Sequence, residues 1–152
     1  MRFSLSARKK NMSKKSPKIA ELILARQGQE FDAHYLGYFD CFNTGLYYEA
    51  HDVLEELWLK EGKSGVNYAF YKGLIQLAGA FVHLQKDRLG PAIALFHLAE
   101  TNFRRYPRSY EGFAVDVGLG LIEDWRNGIQ LSAPIPNPLR TRNPPSLPLP
   151  RR

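Results

Sequence analysis

Cysteine is nearly absent: Cys41 stands alone among 152 residues. An intramolecular disulfide is therefore excluded, no cysteine cluster can hold a structural zinc, and the chain is expected to work inside the cell. Long apolar runs are missing too, since none approaches the ~18 residues that a membrane span requires. The first 18 residues contain no acid and no hydrophobic signal-peptide core. Their basic content, with a second methionine at Met12, fits a disordered tail in a cytoplasmic protein, or a targeting remnant in a plastid one. Residues 132–152 also lack acids, and their prolines forbid both helix and sheet.

The acid-free ends change the meaning of the net charge of +6. They hold 11 of the 21 basic residues, so residues 19–131 carry 10 basic side chains against all 15 acids, a formal −5. A body of that sign repels phosphate backbones, and nucleic acid is not its expected partner. The organisation expected is a basic tail over residues 1–18, one helical domain over 19–131, and an extended, solvated Pro-rich basic tail over 132–152. Neither tail has the apolar content to offset the entropy of ordering it.

What the body does have is helical period. Phe31, Tyr35, Tyr38 and Phe42 recur at i, i+4, i+7 and i+11, and the run stops at Asn43-Thr44-Gly45, a C-cap and turn signal. Further helices are expected over about residues 46–60, 66–84, 91–106 and 113–129, with Pro91 opening the fourth. No alternating strand pattern competes. The fold class is all-α: a single compact bundle of about five antiparallel helices in a helical-hairpin arrangement. Gly45 and Gly90 both read as left-handed C-cap residues. Their spacing of 45 residues does not match the ~34 of a tetratricopeptide repeat.

The segment YYEAHDVLEELW, residues 47–58, puts a histidine and four carboxylates between two tyrosines and a tryptophan. On a helical wheel Tyr47, Ala50, Leu54, Leu57 and Trp58 form the core face, with Glu49, Asp52 and Glu56 opposite. His51 and Glu55 lie one turn apart beside Trp58, where they can share a hydrogen bond, a proton or a metal ion. The next helix carries no acid, yet Lys72, Gln76 and His83 line one narrow stripe with Tyr68 and Gly79 beside them. A lysine on so apolar a helix needs a partner, and Glu55 or Glu49 is expected to face it. Together these side chains read as the walls of a polar pocket, or else as a buried network that sets helix register.

FNTGLYYEAHDVLEELW followed by FYKGLIQLAGAFVHLQ resembles the bacterial, archaeal and plastid family called domain of unknown function 309. The resemblance runs over about residues 39–117. It rests on Asn43, Gly45, Tyr48, Glu49, His51, Asp52, Glu55, Trp58, Tyr71, Lys72, Gly73, Gln76 and His83 at these spacings. It implies a small all-helical domain and no particular activity.

The residues assigned to chemistry are His51 and Glu55 as an acid/base pair, with Glu49, Trp58, Tyr71, Lys72, Gln76 and His83 as ligand-binding. The function expected is binding of a small ligand, anionic if Lys72 holds it, or hydrolytic acid/base chemistry upon it. The sequence leaves any cofactor open. No metal is assigned: a di-iron bundle would need two Glu-x-x-His motifs, and the sequence contains none. The alternative from another class is a non-enzymatic interaction module whose polar residues form a structural network. A homo-oligomer is open to either.

Overall fold

A computed structural model describes residues 17–152, and among them the helical period becomes six helices. These are α1 (Pro17–Arg26), α2 (Ala33–Asn43), α3 (Tyr47–Glu61), α4 (Tyr68–Gln85), α5 (Leu89–Phe103) and α6 (Val115–Gly128). The five expected helices are α2 to α6, and α1 is additional. The expected N-terminal tail lies outside the described residues up to 16, and α1 takes in its last two positions. In α1 Ile19 is the fully buried side chain, and an Arg26–Asp40 ion pair at 2.8 Å ties the helix to α2.

Short connections fold each helix back on the one before it. Gly45 turns the chain between α2 and α3 with φ +78, a left-handed conformation that costs glycine little. Gly90 does not play the same part. It sits inside the first turn of α5, and the left-handed residue of that turn is Asp87, with φ 55. Aspartate tolerates this conformation, and here its carboxylate is held by Asn137 and Arg140. A two-stranded hairpin, β1 (Ser109–Tyr110) and β2 (Phe113–Ala114), closes through Glu111 and Gly112, both at positive φ. Strands of two residues are too short to produce a readable alternation.

The core is built around α4, which lies against α3 on one side and α5 on the other. Phe70, Leu74, Leu77, Ala78, Ala80, Phe81 and Leu84 are all fully buried. Helix α5 comes so close that a Cβ at Gly73 would lie 2.8 Å from the Phe103 ring. The remaining space is filled by aromatic rings in edge contact, Tyr35 on Phe39, Phe42 on Phe81 and Phe81 on Phe96. Tyr38 donates to the Leu74 carbonyl at 2.6 Å, which ties α2 to α4 through the core.

Residues 132–152 depart from expectation. They form no sheet, and only a short 3-10 turn, Pro138–Arg140, but they are not a solvated tail. The segment straps the body. Asn137, 2% exposed, donates to the Leu84 carbonyl at 2.6 Å and to Asp87 at 2.8 Å. Arg142 pairs with Asp124 and lies 4.2 Å from the Trp125 ring centroid. Asn43 exchanges two hydrogen bonds with the backbone of Leu147, itself 2% exposed. Arg151 N–H donates to the Gly112 carbonyl, and Arg152 pairs with Glu30. The composition argument fails because it counts apolar residues. This strap is held by side-chain amides bonded to backbone and by arginines laid on rings, and it buries only Pro138, Pro145, Leu147 and Pro150 beside Asn137.

Asn137→Ala would remove the bond to the Leu84 carbonyl, which keeps the Asp87 N–H, and those with Asp87 and Leu139. The expected loss of stability in a denaturant melt is about 1–3 kcal/mol. A change below ~0.5 kcal/mol, the level of an ordinary surface substitution, would show that the strap is not held at this point.

Candidate functional site

Helix α3 begins at the turn after Gly45 and stops at Gly62, whose φ is +75. Glu49 in its first turn and Lys60 in its last agree in sign with the helix dipole. Its wheel is close to the one expected, and His51 and Glu55 beside Trp58 are 4% and 3% exposed, inside the protein. Trp58 continues the same line one turn on. From α4 come Lys72, Gln76 and His83. Helix α5 adds a third wall that was not foreseen, Pro91, Ala94 and Leu95.

These side chains, with Ile75 and Gly79, enclose a cavity of about 420 Å³ between the three helices. The cavity falls within the usual range for small-ligand sites, toward its lower end. A wider depression, about 750 Å³, lies between residues 27–34 and α3. In it His34 meets Glu56 at 3.2 Å and Asp32 at 3.5 Å.

The electrostatics of the cavity correct one expectation. Lys72 does not meet Glu55 or Glu49. Its ammonium stands 5.9 Å from the ring centroids of both Trp58 and Tyr68, which are themselves 5.0 Å apart, and it has no ion pair among the described residues. The two rings offer the cation their negative faces, so the lysine is accommodated without a carboxylate. Asn67, which precedes Tyr68, accepts from the Tyr110 hydroxyl of the hairpin. Glu55 and His51 have interaction partners within the chain, and the Tyr48 ring lies stacked against His51 at 6.1 Å.

Gln76 Oε1 accepts from Asn102 Nδ2 at 2.7 Å. Asn102, 9% exposed on α5, escapes a reading of the sequence because a single amide on an apolar helix carries no periodic signal. His83 has its pKa lowered, first by burial and then by the charges of Arg88 and Lys86, so its ring is neutral at pH 7. Two buried nitrogens of the cavity residues, Trp58 Nε1 and His83 Nδ1, have no hydrogen-bond partner among the described residues.

Two of the expected ligand-binding residues are elsewhere. Tyr71 is packed in the aromatic core beside Tyr35 and Phe70, with its hydroxyl near Asn67 and its pKa pushed up to about 12 by burial. The wheel had put it on the core face, and that is where it lies. Glu49 is half-buried in the first turn of α3 and does not line the cavity. Asp52, which the wheel set on the far side, brings a carboxylate oxygen within 4.8 Å of donor atoms of His51 and Glu55. Those three side chains could hold a metal ion.

Residues 35–95 match a family model described as Domain of unknown function (DUF309). The match begins within α2 and ends in α5, so it takes in every cavity residue, while the expected extension to residue 117 lies beyond it. No curated protein and no solved structure matches the chain.

The neutral state of His83 has a consequence for stability. Its folded-state pKa lies below the free value of 6.5, so above that pH both states are uncharged and nothing is lost. As the pH falls through 6.5 the unfolded chain takes up a proton that the folded chain resists, and stability drops until the folded value is reached. Between about pH 7.5 and 5.5 the wild type should therefore lose more stability than His83→Gln. Parallel curves for the two proteins would contradict this assignment.

Proposed function

The chain carries a domain of the family called domain of unknown function 309, and we propose that this domain binds a small organic molecule in the cavity between α3, α4 and α5. The observation that carries the reading is the pair of buried nitrogens, Trp58 Nε1 and His83 Nδ1, that no protein group among the described residues satisfies. Burying a polar group without a partner costs about 1–3 kcal/mol, and native proteins keep few such groups. Two of them in residues that line one cavity favour an occupant that bonds to both.

The reading is binding first. His51 and Glu55 supply acid/base capacity beside the occupant, but the cavity lining contains no serine, threonine or cysteine to act as a nucleophile. A metal at His51, Asp52 and Glu55 is the rival occupant. It is less favoured because all three side chains are already engaged within the chain. The other class of function, an interaction module with a purely structural network, calls for a sealed interior, and a cavity of about 420 Å³ speaks against that.

Ala94 is an exposed residue of the cavity wall, so Ala94→Trp should fill the space without cutting into the core. Ligand-observed NMR with a library of small fragments should find hits at roughly millimolar affinity on the wild type. Those hits should disappear in Ala94→Trp at unchanged melting temperature. Equal binding to both proteins, or no hit on either, would overturn the reading.

A further inference from the structure

The chemistry of the occupant can be narrowed further, on the premise that the cavity is a ligand site. Its polar groups are mostly donors. The Trp58 indole can only donate, and its N–H is unmatched. The Gln76 oxygen accepts from Asn102, and its NH₂ group adds two donors. The Lys72 ammonium has donors and no acceptor, and no carboxylate of the described residues neutralises it. The acceptors do not balance this set. Glu55 and His51 are engaged within the chain, and His83 Nδ1 takes either role with the ring tautomer.

The rest of the lining is of the opposite character. Ile75, Gly79, Pro91, Ala94 and Leu95 present hydrocarbon and no side-chain polar atom. The volume of about 420 Å³ corresponds to about 14 water molecules at their share of liquid volume, enough for a short chain with a head group. We infer that the occupant is a carboxylate with a short apolar tail, its head bonded by Lys72, Trp58 and Gln76 and its tail laid against Ile75, Pro91, Ala94 and Leu95.

Octanoate, octanamide and octylamine are near-isosteres that differ in the head group, and calorimetric titration of each into the full chain tests the inference. Octanoate should bind about 10-fold tighter than octanamide, the margin of one charge-assisted bond, and octylamine should not bind. Lys72→Met, which keeps the side chain long enough to lie over the Trp58 and Tyr68 rings, should erase the preference for octanoate and leave octanamide unchanged. Lys72→Arg should retain it. If Lys72→Met does not fold, the wild-type ranking and Trp58→Phe, which removes only the indole donor, carry the test. Octanamide or octylamine binding best would overturn the carboxylate and leave the cavity as a ligand site. No binding of any of the three, with fragments still excluded by Ala94→Trp, would overturn the carboxylate alone. If fragments fail as well, both readings fall.

Discussion

Helix α4 lies between α3 and α5 with most of its surface covered, and the polar side chains it carries are half-buried against its neighbours. Lys72, Gln76 and His83 fall on one stripe of an otherwise apolar helix. Burying an unpaired charge or amide is costly, so each must find a group on a facing helix, a ring, or a molecule from outside. The structure uses three different answers. Lys72 is set over the faces of Trp58 and Tyr68, Gln76 is bonded by Asn102 from α5, and His83 is kept neutral with one nitrogen left over.

Much of the remaining architecture keeps this stripe in place. Tyr38 fixes α4 from the α2 side, and the hairpin's Tyr110 holds Asn67 at its N-terminal end. At the other end the C-terminal strap bonds to the carbonyls of Leu84 and Gln85 and to Asp87, next to His83 and before Pro91 begins its wall of the cavity. The strap therefore holds the end of α4 and the turn that leads into α5, although it lies outside the segment that matches the family model.

The sequence made some of this legible and not the rest, for physical reasons. Helical period, the turn at Gly45 and the stripe on α4 are local properties of a helix, and residues a few positions apart reveal them. His51, Glu55, Trp58, Lys72, Gln76 and His83 could be gathered into one site because all six belong to two neighbouring helices. The α5 wall could not be read, since Pro91, Ala94 and Leu95 look like any exposed apolar residues. The partner of Lys72 was misjudged because a search for opposite charge overlooked two rings that serve the same purpose. The strap was missed because its bonds span up to 104 residues, as between Asn43 and Leu147, and such pairings leave no period.

The central claim is that Trp58 and His83, two residues that line the cavity, hold buried nitrogens without a partner among the described residues, and that an occupant bonds to both. A high-resolution crystal structure of the full chain, purified without denaturation, tests it most directly. The account predicts electron density in the cavity, from a retained small molecule or from ordered water in its place, within hydrogen-bond distance of both Trp58 Nε1 and His83 Nδ1. A cavity without density, or the two nitrogens bonded to protein side chains, would contradict it.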